Sequence, residues 1–270
     1  MSRIKVLIVL CFTLLFLAVS CIIAGEEHRE DFSKTLPLKA GDRFSLENVN
    51  GHVAVATWKD DKVEIKAVKI THRSAEELAK VEIRVEEIAG GVAVKAVWPK
   101  FPRRASVSVE FEVKVPEGAV LEKVGTVNGG VDVSGRFERG DVGTTNGNVT
   151  IDGGSGELEA STTNGDVRIR DFDGRVEAGT TNGSIRLENL TFKGGLKAGT
   201  TNGSITLSFA NATDLNADLR AHTTNGHITV DFPVTLKNLT QSRRRVEARI
   251  GEGGSLIELG TTNGSIRLTK

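Results

Sequence analysis

From Val176 to Leu187 small or apolar residues hold every second position, and the alternation changes phase once, at Asn182-Gly183. Val176, Ala178, Thr180 and Asn182 share one parity, with Glu177, Gly179 and Thr181 on the other. Beyond Gly183 the alternation resumes, Ile185 and Leu187 against Ser184, Arg186 and Glu188. Period two predicts strands with one face buried, so this unit reads as two strands joined at Asn-Gly. The same slots return as Leu158, Ala160, Thr162 and Asn164 before Val167 and Ile169, and as Leu196, Ala198, Thr200 and Asn202 before Ile205 and Leu207. They return again as Leu219, Ala221, Thr223 and Asn225 before Ile228 and Val230, and as Ile257, Leu259, Thr261 and Asn263 before Ile266 and Leu268. Phe44, Leu46, Asn48 and Asn50, followed by Val53 and Val55, fit as well.

Eight copies align on Asn50, Asn128, Asn146, Asn164, Asn182, Asn202, Asn225 and Asn263. A fixed period of this length marks stacked supersecondary units. The expected fold is therefore all-β: a β-solenoid, parallel β-helix-like, of stacked 18–23-residue repeats with a β-rich N-terminal capping section. A meander of type I′ hairpins is the competing reading, since Asn-Gly is also a hairpin signal. In the solenoid, Asn-Gly is expected to turn the chain because both residues tolerate positive φ. The parity places Asn on the inward face, where stacked amides about 4.8 Å apart would bond one another as a ladder. The first Thr of each TTNG would form a hydroxyl column beside it. The second, as Thr145, Thr163, Thr181, Thr201, Thr224 and Thr262, would point outward.

The less regular stretch, residues 35–120, precedes the repeats of 121–270, and together they are read as one domain. Lys62–Ile70, Lys80–Glu87, Val92–Trp98 and Ser106–Pro116 alternate as strands, and Ser74 to Glu77 reads as a capping box opening one helical turn. Pro233 to Gly254 reads as an excursion with a strand near Arg245–Ile250. At the other end, Arg3 and Lys5 precede an apolar stretch from Val6 to Val19, the pattern of a secretory signal over residues 1–20. Cys21 after "LAVS" has the form of a lipobox, which makes it the candidate lipidation site and residues 21–34 a polar tether. An ordinary signal cleaved near Gly25, or an uncleaved anchor from Val6 to Ala24, are the alternatives.

Composition narrows the chemistry. Lys plus Arg and Asp plus Glu both number 35, so no net field argues for a nucleic-acid partner. Both cysteines, Cys11 and Cys21, lie in the leader, which leaves the folded part without thiol chemistry. Lys100 with Arg103 and Arg104, and Arg243 to Arg245, read as solvated or edge-guarding charges. Asp152 with Asp166, and Asp171 with Asp173, are the carboxylate pairs worth weighing for glycoside chemistry, but Asp in β-turns explains them more simply. The outward slots after the turn, Asp132, Thr150, Arg168, Arg186, Thr206, Thr229 and Arg267, read as mixed surface charge. His52 and His227 read as solvent-facing turn residues, and no slot repeats a metal ligand. No catalytic residue, metal or cofactor is expected.

The "NVNGHVAV" opening, the "VEFEVKVPEGA" strand and the TTNGxI series resemble a bacterial family of candidate adhesins, a domain of unknown function taken to be a β-solenoid. The resemblance spans Phe32 to Lys270. It implies an exported, envelope-anchored, non-enzymatic binding or structural module, with an envelope ligand, protein or polysaccharide, as partner and the membrane reached through an N-terminal lipid. Envelope-stress sensing and a polysaccharide-active β-helix enzyme are the alternatives.

Overall fold

The computed structural model describes residues 26–99, 105–191, 193–209, 216–231 and 236–269. The signal segment, Cys11, Cys21, Lys100, Arg103 and Arg104 lie outside them. In chain order the elements begin with β1 (His28–Pro37), β2 (Arg43–Glu47), β3 (Val53–Trp58), β4 (Lys62–Thr71), α1 (Ala75–Leu78), β5 (Glu82–Ile88), β6 (Gly91–Val97) and β7 (Ser108–Pro116). Strand pairs follow, each a long strand, an Asn-Gly turn and a four-residue strand. They are β8 (Val120–Asn128) with β9 (Val131–Ser134), β10 (Arg139–Asn146) with β11 (Val149–Asp152), and β12 (Ser155–Asn164) with β13 (Val167–Arg170). Next come β14 (Asp173–Asn182) with β15 (Ile185–Glu188), and β16 (Leu196–Asn202) with β17 (Ile205–Ser208), the latter shorter in its long strand. The chain closes with β18 (Ala217–Asn225), β19 (Ile228–Asp231), β20 (Leu236–Gln241), β21 (Arg245–Ile250), β22 (Ser255–Asn263) and β23 (Ile266–Thr269).

Long strands stack on long strands and short on short, in parallel and in register, so that Thr162 lies against Thr180 and Ile169 against Leu187. The result is a two-sheeted parallel solenoid, not a hairpin meander. Its core forms between the sheets, where Leu158, Ala160, Ile169, Ile185 and Leu187 are all buried. At the far corners Phe137, Phe172 and Phe209 close the gap, with the rings of Phe137 and Phe172 6.0 Å apart. Burying an apolar side chain of this size contributes about 1.5–3 kcal/mol, and the repeat places several in every coil.

The order of coils in space departs from the order along the chain. The long-strand sheet runs β16-β22-β18-β21 and the short-strand sheet β17-β23-β19, so the C-terminal coil sits between the two coils that precede it. Beyond β18 the hairpin of β21 and β20 closes the sheet, both strands antiparallel to their neighbours. At the opposite end β4 runs antiparallel to β7 and β1 to β4, while β5 runs antiparallel to β6. Reversed strands thus border both ends of the long-strand sheet and the N-terminal end of the short-strand sheet, whose other end is the parallel β19.

Residues 28–34 were expected in a polar tether, but they form most of β1. Phe32 and Leu36 pack against the core, and the buried Lys69 of β4 bonds Glu30 at 2.8 Å. A paired lysine with its stem against apolar surface accepts burial that an isolated one would not. The helical turn after Ser74 is present, but Ser74 makes no side-chain cap bond and Glu77 takes the Ser106 amide instead, so no capping box closes.

Candidate functional site

The TTNG turns make one continuous edge of the solenoid. In each, the first Thr is buried and the next two residues are exposed, as at Thr180, Thr181 and Asn182. The Asn ladder therefore exists, but on the surface. The alternation that predicted inward Asn stops at the first Thr: strand pairing continues to the Asn, but the strand's last two residues both lie outside the core, at the edge where the chain passes to the other sheet. Seven Nδ2-to-Oδ1 bonds of 2.7–2.9 Å link the eight residues in spatial order: Asn225 donates to Asn263, Asn263 to Asn202, and the series continues through Asn182, Asn164, Asn146 and Asn128 to Asn50.

Positive φ is not what Asn contributes, since among the described residues the non-glycine ones with positive φ are Asp171 and Asn189. The glycine answers a different need. A Cβ at Gly165 would lie 1.9 Å from the carbonyl oxygen of Gly147, and one at Gly183 1.9 Å from that of Gly165. Each turn nests on its neighbour too closely for any side chain.

The buried threonines do not form a hydroxyl column. Each donates across to the glycine carbonyl of the neighbouring turn: Thr144 to Gly129, Thr162 to Gly147, Thr180 to Gly165 and Thr200 to Gly183, at 2.8–2.9 Å. Thr180→Ala is accordingly expected to cost about 1–2 kcal/mol, from the lost bond and the half-buried Gly165 acceptor it leaves unpaired. Asn182→Ala, at an exposed site where water replaces the lost bonds, should cost about half that. Urea midpoints in the reverse order would overturn this assignment.

Beside the ladder, on the outer face of the long-strand sheet, the exposed Thr145, Thr163, Thr181, Thr201, Thr262 and Thr224 follow one another down the stack. Next to them Gly125, Gly143, Ser161, Gly179, Gly199 and Gly260 leave a low strip. At Gly179 and Gly199 an added Cβ would meet nothing within 4 Å, so neither packing nor φ calls for glycine there. A charged row bounds the strip: Asp141, Glu159 and Glu177, then Lys197, whose hydrogen bond to Glu177 raises the ammonium pKa. At the N-terminal end Lys95 hydrogen-bonds Glu47 and, with Lys123, holds its carboxyl below the ordinary range against an opposing contribution from burial. A shallow recess of about 320 Å³ opens there among Glu47, Lys123, Gly125, Val127, Gly143 and Thr145.

The carboxylates weighed for catalysis are engaged otherwise. Asp152 pairs with Arg170 at 2.6 Å, Asp173 with Lys193 at 2.6 Å, and Asp166 accepts the Ser184 amide at 2.8 Å. Asp171 turns the chain with φ 54°. His52 lies 3.2 Å from Asp132, and His227 Nδ1 lies 3.0 Å from the Ser265 hydroxyl, at opposite ends of the stack. Of the Arg243–Arg245 group, the carbonyls of Arg243 and Arg244 accept the Ile228 and Thr223 amides, docking the C-terminal hairpin. Sequence reasoning missed the buried Lys69, whose signal was only a Lys in the inward parity of β4's edge.

Residues 26–269 match the family described as Toastrack DUF4097. Among solved structures, a candidate adhesin of Bacteroides fragilis is similar at 13% identity, over 88% of this chain and 97% of its own, with a TM-score of 0.48. A candidate cell adhesion protein of Clostridium sporogenes aligns at 12% identity over 89% and 99%, TM-score 0.34. A candidate lipid-binding protein of Parabacteroides distasonis aligns at 12% identity over 89% and 97%, TM-score 0.38. No curated protein matches the sequence.

Proposed function

Because this chain belongs to the Toastrack DUF4097 family, whose solenoid it builds from TTNG coils, we propose that it is a non-enzymatic, adhesin-like binding module held at the bacterial cell envelope. The observation that carries the reading is the exposed strip of Thr145, Thr163, Thr181, Thr201, Thr262 and Thr224 beside the glycine row and the Asn ladder. A face that repeats the same hydroxyls and amides every coil offers an extended ligand equivalent contacts at each step. Gly179 and Gly199, with open space above them, let such a ligand approach the backbone. Engagement of the nearby carboxylates by Arg170, Lys193 and the Ser184 amide favours binding over hydrolysis. The ligand class is an envelope polysaccharide or protein. Attachment is proposed through Cys21, after cleavage beyond Ser20, since two or more acyl chains suffice for stable anchoring. Envelope-stress sensing is the second reading, with the same face as its input surface.

One fractionation experiment addresses both parts. Wild-type protein should partition with membranes and take up labelled fatty acid, while Cys21→Ser should do neither. The soluble chain from residue 26 should be retained on isolated envelope material, and a variant with Thr163, Thr181 and Thr201 all changed to Glu should lose at least about tenfold in retention. Equal retention of the variant, or release of soluble sugar from the envelope material, would defeat the binding-module reading.

A further inference from the structure

The opposite sheet carries a feature that the ladder does not explain. Its outer face stacks Thr150, Arg168, Arg186 and Thr206 in register on adjoining parallel strands. The two arginines are exposed direct register partners, about 4.8 Å apart. Like charges placed so cost stability. Elsewhere several outward charges meet opposite partners: Arg139 pairs with Glu157 at 2.9 Å, Arg170 with Asp152, and Lys197 with Glu177 at 2.8 Å, the last closing the acidic row of Asp141, Glu159 and Glu177. Arg168 and Arg186 form no ion pair among the described residues, because the acids around them are engaged or out of reach. Asp152 is held by Arg170, Asp166 Oδ1 accepts the Ser184 amide, and Glu188 faces Arg170 in register. Both guanidinium groups border a recess of about 210 Å³ that also takes in Asn148, Thr150 and Asp166.

We propose that Arg168 and Arg186 form an oxyanion site that takes a phosphate group. Each planar guanidinium presents a fork of N–H donors that matches two oxygens of a tetrahedral anion. Two forks one strand spacing apart can share a single phosphate, whose charge removes the repulsion between them. Thr150 stands at the neighbouring step and supplies a hydroxyl donor. Among the described residues the exposed large apolar ones, Val127, Leu239 and Leu256, all lie on strands of the other sheet, so the described part of this face carries no apolar anchor for entering a bilayer. The phosphate is accordingly expected on a soluble or polymeric carrier. The site is independent of the threonine strip and does not rest on the adhesin reading.

The test is titration of the soluble chain with pyrophosphate at low ionic strength, followed by the arginine side-chain N–H resonances. Saturable shifts at Arg168 and Arg186 are expected. Arg168→Gln and Arg186→Gln should each weaken binding about tenfold or more, the loss associated with one charge-assisted contact pair, while Arg267→Gln on the same face should not. Unfolding midpoints of the two glutamine variants should hold or rise, since repulsion is relieved; a structural role would lower them. Replacing both arginines by lysine keeps the charge and should still lose binding, because the forks are gone. Phosphatidylglycerol vesicles form a second arm: failure to compete with pyrophosphate assigns the site to soluble phosphate, and competition supports the site with a headgroup as its source. No saturable shift, equal weakening by Arg267→Gln, or undiminished binding by the lysine variant would each overturn the proposal.

Discussion

Gly165→Ala should prevent the solenoid from forming a stable stack around that turn, with a loss of about 3–5 kcal/mol, in the range of severe overpacking. The new Cβ would lie 1.9 Å from the Gly147 oxygen and 2.5 Å from its carbonyl carbon. Neither is a flexible side chain that can swing away. Gly147 is itself nested on Gly129, and Gly183 on Gly165, so a shift at one turn propagates to the next. The amide of Gly165 also donates to Asn182 and that of Gly147 to Asn164, both at 2.9 Å, and the shift would stretch these bonds. By contrast Gly179→Ala, with nothing within 4 Å of its Cβ, should be neutral or slightly stabilising. Denaturant unfolding of the two variants separates the explanations: similar midpoints would mean that nesting is not why these turns carry glycine.

Removing the C-terminal coil is expected to produce the second large effect, a rearrangement with loss of stability. Residues 255–269 supply Ile257, Leu259, Ile266 and Leu268, all fully buried, to the interior of the stack. They also separate β16 from β18, since Lys197 and Arg220 are both register partners of Glu258. Without this coil, β18 can close directly onto β16, because Leu219, Ala221, Thr223 and Asn225 repeat the slots of Leu196, Ala198, Thr200 and Asn202. The shortened chain should therefore fold, one coil smaller and less stable by several kcal/mol, given the burial lost. Paired cysteines at positions 197 and 220, with Cys11 and Cys21 changed to Ser, report the closure. They are two strand spacings apart in the full chain, too far for a disulfide, and one spacing apart after closure, within its reach. A truncated chain that fails to cross-link while remaining folded would show that β18 cannot make this move.

That unexpected coil order marks a boundary of what sequence can disclose. The slots of each coil were legible because burial on one face imposes period two, and identical slots in Val176–Leu187 and Leu196–Leu207 declared the stacking. Identity of slots is also why order was hidden: a coil carrying Leu, Ala, Thr and Asn fits beside any other. The direction of Asn failed for a related reason. Counting parity through Thr181 assumes that burial alternates to the end of the strand, whereas Thr181 and Asn182 both stand outside the core at its edge. In β1 the sequence HREDFSKTLP shows no alternation, only Phe32 and Leu36 four apart, so a strand held by backbone pairing to β4 resembled a tether. Arg168 and Arg186 were visible as residues, but their unpaired state depends on where Asp152, Asp166 and Glu188 bond.

The reversed strands at the two ends carry a consequence for association between molecules. In-register parallel strands topped by an asparagine ladder are the construction of a fibril, which any matching chain can lengthen. Here a second molecule arriving at either end of the long-strand sheet meets β5, which runs opposite to the repeats, or β20, which follows the reversed β21, and neither carries the TTNG slots. Growth has no template to copy on that sheet. That sheet is in effect a fibril of fixed length, and inserting further 18-residue units between its ends should make it longer by one strand spacing each without making it polymerise.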